Sequence, residues 1–332
     1  MRFKQDQHGS LHIALLLIIV LVLISGFAIF QVISSNNRSS SNNITTKLVA
    51  SNKPIIPSTN AYIGAWVNPN GPGTASGNLG ETNKLAAFSQ RIGKKIDLIH
   101  TFFSWNSITS TPSFPQPSLN KMLSLISSND AMPVINWAPY NYSEIANGSQ
   151  DNLIIDSALK LKAYNKPVFL RWGWEMNLAD RDKFGDSSGF TLAWKHIYDI
   201  YRNQGATNVA FVWCPGIGGG LAGFNSWYPG DAYVDWIAVD GYDRSSGGEN
   251  AFNKLFNEWY QQWGDHLKPL MIAETGALNS KDQAAYINGI KKDLPTLYPH
   301  IKALLYFDAV GPAGDWSLDS NGITAFSSLA NM

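Results

Sequence analysis

The chain has 332 residues, with 25 Lys and Arg against 25 Asp and Glu, six His and one Cys. Zero formal net charge argues against a nucleic-acid partner, which needs a basic face, and a single Cys excludes an internal disulfide framework or a Cys-rich zinc site. Twelve Trp, 13 Tyr and 16 Phe exclude a disordered chain; they fill a large core or offer stacking surfaces to flat, uncharged rings such as sugars.

Residues 1–12 include Arg2 and Lys4, and residues 13–32 (IALLLIIVLVLISGFAIFQV) carry no charge. A helix of that length crosses ~30 Å of hydrocarbon. The basic residues ahead of it predict a cytoplasmic tail over 1–12, a transmembrane anchor over 13–32 and an extracytoplasmic main domain. A cleaved signal peptide is the rival, but its apolar core is about 7–15 residues long and ends at small residues. Cleavage would make the domain secreted. Residues 33–56, dominated by Ser, Asn and Thr, read as a flexible linker. Asn37, Asn43, Asn141 and Asn147 each open an N-x-S/T sequence, which matters only in a host that glycosylates.

From residue 57 to 332, short apolar runs alternate with helical patterns. The strand-like runs are AYIGAWV (61–67), IDLIHTFF (96–103), MPVINWA (132–138), PVFLRWGW (167–174), NVAFVWC (208–214), VDWIAVDGY (234–242), KPLMIAE (268–274) and IKALLYF (301–307). Several are apolar on consecutive residues, which suits parallel strands buried on both faces. Phe190, Trp194, Ile197, Tyr198 and Tyr201 form one helical stripe, and Phe252, Leu255, Phe256, Trp259 and Trp263 form another. This alternation predicts a (β/α)8 TIM barrel, whose usual size is ~250 residues. A doubly wound open sheet is the alternative; no GxGxxG follows the first strand to favour its dinucleotide-binding version.

A barrel places its active site at the C-terminal ends of the strands. The polar residues expected there are His100, Asn136, Arg171, Glu175, Asn177, Asp240, Tyr242, Asp243, Glu274 and Asp308. Glu175 closing the fourth apolar run and Glu274 closing the seventh stand out, because Glu is depleted in strands. Either alone suits the start of a helix. Together they suit glycoside hydrolysis, in which one carboxyl protonates the leaving oxygen and the other attacks the anomeric carbon.

Other chemistries find less support. No G-x-S-x-G elbow or H-E-x-x-H is present, and the His residues are scattered without metal-ligand spacing. Cys214 ends an apolar strand, as a small buried hydrophobe does. The segment from Asp180 to Asp186 loosely resembles a calcium loop but has Phe184 at a ligand position and Thr191 at the twelfth. No metal or cofactor is expected.

The segment VFLRWGWEMN (168–177) resembles the fourth-strand signature of glycoside hydrolase family 26, which runs Arg, two residues, His-Glu, then Met-Asn-Gly. FVWCPG (211–216), VDWIAVDGYD (234–243), KPLMIAETGA (268–277) and YFDAVGPAGDWSLDS (306–320) are similar to its fifth to eighth strands, in order. The resemblance implies a retaining endo-β-glycanase with Glu175 as acid/base and Glu274 as nucleophile. It implies that Tyr242 hydrogen-bonds the nucleophile, that Arg171 supports its surroundings and that Trp316 floors the attacked sugar. Trp174 stands where the family has a substrate-contacting His, and Leu178 where it has Gly. Trp174, Asn177, Trp137 and Trp213 complete the expected sugar-binding set, although core packing competes for each Trp at a strand end. The implied substrate is first β-1,4-mannan, then mixed-linkage β-glucan or β-1,3-xylan; a non-catalytic polysaccharide-binding protein and a tethered scaffold are the rivals from other classes. The expected protein is a monomer whose partners are a polysaccharide and, through its anchor, the membrane.

Overall fold

The computed structural model describes residues 52–67, 82–108, 118–245, 247–311 and 313–332. The eight expected strands are β1 (Tyr62–Val67), β2 (Leu98–Phe103), β3 (Met132–Trp137), β4 (Val168–Trp172), β5 (Val209–Trp213), β6 (Trp236–Asp243), β7 (Leu270–Ala277) and β8 (Ile301–Asp308). They pair in parallel and in chain order as a closed barrel, β8 returning to β1 from Tyr62 opposite Ala303 to Val67 opposite Asp308. The (β/α)8 architecture read from the alternation is the one found.

The helices are α1 (Thr82–Ile92), α2 (Leu119–Ser128), α3 (Tyr142–Ala146), α4 (Asp151–Tyr164), α5 (Ser187–Asn203), α6 (Phe224–Trp227), α7 (Ala251–Trp263), α8 (Gln283–Leu297) and α9 (Ser320–Leu329). α5 starts where the Asp186 carboxylate accepts the Gly189 N–H at 2.8 Å, satisfying one of the free donors of its first turn. It then buries Phe190, Trp194, Ile197 and Tyr201 against the sheet, and α7 does the same with Phe252, Phe256, Trp259 and Trp263. Burying apolar side chains of this size is worth about 1.5–3 kcal/mol each, so these stripes hold the helical layer on the barrel.

Alternation along the strands divides the core in two. Leu98, Val134, Phe169, Ala210, Trp236, Met271 and Leu305 fill the barrel interior, and their strand neighbours pack outward under the helices. The alternation is interrupted in β7. Val239 lies opposite Ile272, yet Asp240 lies opposite Glu274, so Ala273 is an extra residue. The β7–β8 register slips at the same place, between Ile272 and Thr275. An inserted residue re-aims the side chains after it, and here it brings Glu274 level with Asp240.

The barrel begins earlier than residue 57. Pro54 is buried, Lys53 Nζ lies 2.6 Å from Asp235 Oδ1, and the Tyr62 hydroxyl donates to the Ile55 carbonyl at 2.8 Å. Residues 53–55, expected in the linker, are thus tied to the barrel by a buried ring, an ion pair and a hydrogen bond. The tail, the anchor and the rest of that linker lie outside the described residues. Among the described residues no helix is long and apolar enough to cross a membrane.

Candidate active site

At the C-terminal end of the barrel, side chains from the ends of β2, β6, β7 and β8 and from the loops after β4 and β8 surround a cavity of about 350 Å³. Its lining includes Glu175, Glu274, Trp174, Tyr242 and Trp316. Two elements deliver the two carboxyls differently.

Glu175 lies beyond β4 rather than closing it, in a turn where Gly173 has φ +59° and Glu175 itself φ +56°. The left-handed region is uncommon for a residue with a Cβ and costs of order 1–3 kcal/mol. Hydrogen bonds to both neighbouring strands enforce it: the Gly173 N–H donates to Trp137 O at 2.9 Å, and the Glu175 N–H to Cys214 O at 2.8 Å. A side chain at 173 would be strained by the same φ and would press on Phe190, 3.2 Å from an ideal Cβ. Glu274 instead lies inside β7, turned toward the cavity by the extra residue before it.

Beneath Glu274 runs a buried polar chain. Arg171 is fully buried, donates through Nη2 to Glu274 Oε1, and meets both oxygens of Asp240 through Nη1 at 2.7 and 2.6 Å. Its Nε donates to Asn136 Oδ1, and Asn136 Nδ2 lies 3.0 Å from His100 Nδ1. The Cys214 thiol donates to Asp240 Oδ1 at 3.2 Å, consistent with a buried small residue; burial and the Asp240 charge hold it well above the ordinary thiol range. The other Glu274 oxygen accepts from the Tyr242 hydroxyl at 2.5 Å. Both Glu274 oxygens are therefore occupied by donors, a guanidinium on one and a hydroxyl on the other.

Glu175 receives the opposite treatment. Its nearest cation is Arg181 at 3.6 Å, beyond hydrogen-bonding distance. Burial, and then the neighbouring Glu274 charge, push its carboxyl up from 4.5 to about 7 against the weaker pull of Arg171 and Arg181. The two carboxyls thus sit in unlike surroundings, Glu175 pushed toward neutrality by burial and Glu274 bonded by Arg171 and Tyr242, the asymmetry that acid and nucleophile require. It follows that kcat/KM should fall about tenfold per pH unit above about 7, as the required proton leaves Glu175. A pH–rate profile still flat at pH 9 would exclude Glu175 as the acid.

The expected sugar-binding residues separate into two groups. Trp174 faces the cavity, with Phe102 edge-on at 5.4 Å and the Arg171 and Arg181 guanidinium carbons 5.5 and 5.6 Å from its ring centre. Trp316 lines the opposite side, its ring 4.6 Å from Tyr242. Four expectations are corrected. Trp137 is buried, stacked on Trp105 at 4.3 Å and donating to the Trp105 carbonyl; Trp213 is buried against Trp263 and donates to the Trp227 carbonyl. Both point outward, toward the helices. Asn177 does not line the cavity, because both ends of its amide bond the Gly216 backbone at 2.8 Å and tie the β4 and β5 loops together. Arg171 supports Glu274 from below without reaching the cavity surface.

Phe102, Arg181, Arg244 and Phe307 line the cavity and were not foreseen. Phe102 follows His100 and Leu98, and Phe307 follows Leu305 and Ala303, at steps of two along inward-facing rows. That parity could have found them; Arg244 lies in a loop and Arg181 in a short 3-10 helix (Ala179–Phe184), and neither belongs to a periodic row. Among the described residues no group of three or more His, Cys, Asp or Glu is arranged to hold a metal ion.

A closed parallel barrel with two carboxyls in unlike surroundings in one cavity at its C-terminal end has the architecture of a barrel glycoside hydrolase. The chain belongs to glycosyl hydrolase family 26, whose family model matches residues 99–321. Endoglucanase H of Acetivibrio thermocellus is 28% identical over 279 residues, 78% of this chain and 29% of that protein. A β-1,3-xylanase of a Vibrio species is 30% identical over 139 residues, 40% of this chain and 28% of that protein. The chain thus spans less than a third of the length of these relatives. In fold it is similar to a family 26 β-mannanase from Bacteroides ovatus, with a TM-score of 0.58 at 14% identity over 82% of this chain and 88% of the other.

Proposed function

We propose that this protein is a retaining endo-β-glycanase in which Glu175 protonates the departing oxygen and Glu274 attacks the anomeric carbon. The observation that carries the reading is the opposed environment of the two carboxyls: Glu274 is held by Arg171 and Tyr242, whereas burial raises Glu175 to about 7. After the glycosyl-enzyme forms, the Glu175 carboxylate removes a proton from water and the anomeric configuration is restored. A sugar in the cavity lies between Trp174 and Trp316. The presence of both carboxyls favours an enzyme over a binding protein on the same barrel.

For the polymer, β-glucan is placed ahead of β-mannan, reversing the order that the sequence resemblance implies. The relative that aligns with 78% of this chain is named an endoglucanase. In addition, Trp174 replaces the substrate-contacting His of the mannanase pattern with an apolar surface. β-1,4-Mannan is second and β-1,3-xylan third. Attachment of a monomer to the outer face of a membrane through residues 13–32 belongs to the same proposal, supported by the uncharged run and the basic residues ahead of it.

The test is hydrolysis of mixed-linkage β-glucan, β-1,4-mannan and β-1,3-xylan by the full chain, with the first-formed anomer read by proton NMR. β-Glucan should be cleaved fastest, with the β-anomer appearing first. Faster cleavage of mannan would reverse the substrate order. An α-anomer would overturn retention, and binding without cleavage of any of the three would favour the binding protein.

A further inference from the structure

The loop after β8 carries Trp316 into the cavity, and its backbone is held by one buried side chain from a different element. Gln283, the first residue of α8, is fully buried, which is unusual for a polar residue unless it is hydrogen-bonded. Its Nε2 faces the carbonyls of Ala277 at 3.0 Å, Ser317 at 3.1 Å and Trp316 at 3.5 Å, and its Oε1 accepts the Asp319 N–H at 2.9 Å. Ala277 ends β7, the strand of Glu274. One amide therefore ties the strand of Glu274 to the loop bearing Trp316.

Neighbouring groups hold the same loop, but of these side chains only Gln283 faces the Trp316 carbonyl. Asp308 Oδ1 accepts the Leu318 N–H at 2.7 Å, and Arg91 donates to the Leu318 carbonyl at 3.1 Å. Asn279 Nδ2 donates to the Ser317 carbonyl at 2.7 Å. A stretch this thoroughly bonded through its backbone has little freedom to reposition, and a ring that floors a sugar must sit at a fixed height above the attacking oxygen.

We propose that Gln283 is a positioning residue that sets the height of Trp316 relative to Glu274, and through it the fit of the sugar under attack. The proposal rests on the glycanase reading above. Gln283→Glu is the sensitive variant. It keeps the acceptor for Asp319 but turns the donating nitrogen into an oxygen facing carbonyls, an arrangement tolerated only while the carboxyl is protonated. The kcat/KM of Gln283→Glu relative to the natural protein should be near unity at pH 5 and fall at least tenfold by pH 8, assayed well below both melting temperatures. Gln283→Leu, which cannot hydrogen-bond at all, should be impaired at both pH values if it folds.

The second measurement is the indole N–H resonance of Trp316, assigned by its loss in Trp316→Phe. It should shift between pH 5 and pH 8 in Gln283→Glu and not in the natural protein. A pH-independent activity ratio with an unmoved indole signal overturns the proposal. So does global unfolding of Gln283→Glu at pH 8, since the amide would then support the whole barrel and not one loop. If the natural protein cleaves no glycan, the glycanase reading fails, and the indole signal still decides whether Gln283 positions Trp316.

Discussion

Replacing Glu274 with Ala is expected to lower kcat on the cleaved glycan by roughly 10⁴–10⁶-fold, the scale on which removal of a nucleophile is felt. The loss arises because no glycosyl-enzyme can form, whereas Arg171 and Tyr242 remain to bind a small anion in the space the carboxylate leaves. Azide should therefore restore turnover and yield a glycosyl azide of inverted configuration. Glu175→Ala fails differently. An aryl glycoside whose leaving group needs no proton still forms the intermediate, which then accumulates for want of a base. A burst should appear, and azide should hasten the second step with retained configuration. The two product stereochemistries, read by proton NMR, decide the roles; the reverse pattern would show them exchanged, and full activity in either variant would sink the two-carboxylate mechanism.

Arg171→Met should be damaging even without substrate. Among the described residues the guanidinium is the one cation bonded to both Asp240 and Glu274, and Asp240 is fully inaccessible on its side chain. Taking one partner from a buried ion pair typically costs about 3–5 kcal/mol, because the remaining charge is left without compensation. At about 2–4 °C per kcal/mol for a domain of this size, the melting temperature at pH 7 should fall by roughly 10 °C. The sign of its pH dependence is diagnostic. Burial already raises the Asp240 carboxyl well above its ordinary range, so without Arg171 it takes up a proton more readily, and the deficit should shrink as the pH is lowered. A deficit equal at pH 5 and pH 8 would mean that lost packing, not lost charge, destabilises the variant.

Much of the fold was legible because a parallel barrel writes each strand as a nearly continuous apolar run and each helix as a stripe. The runs ending at Phe103, Ala138, Cys214 and Phe307 fall within about a residue of the observed strand ends. Position along a strand is not direction, however. Trp137 and Asn136 are adjacent, yet Asn136 bonds Arg171 in the barrel interior while Trp137 packs against Trp105 outside it. A strand-end rule selects both, and only parity separates them. At Glu274 parity itself misleads. Counting by two from Met271 turns Ala273 inward and Glu274 outward; the extra residue in β7 leaves Ala273 in the interior and turns Glu274 to the cavity as well. Irregular register is a tertiary property of paired strands and leaves no periodic trace in the chain. The turn that carries Glu175 beyond β4 escaped for a related reason, since its left-handed φ is imposed by bonds to neighbouring backbone and not by its own side chain.

The high proton affinity of Glu175 makes the folded barrel a proton acceptor. An unfolded chain releases that proton near the ordinary carboxyl value of 4.5, whereas the barrel keeps it until about pH 7. Between those values folding is accompanied by proton uptake. Linkage then requires that the contribution of this group to stability be complete below pH 4.5 and be lost as the pH rises through about 7. Under the role proposed for Glu175, alkaline solution withdraws the same proton from folding and from the departing sugar, so the burial that raises this carboxyl ties the robustness of the barrel to the protonation state in which it would serve as acid.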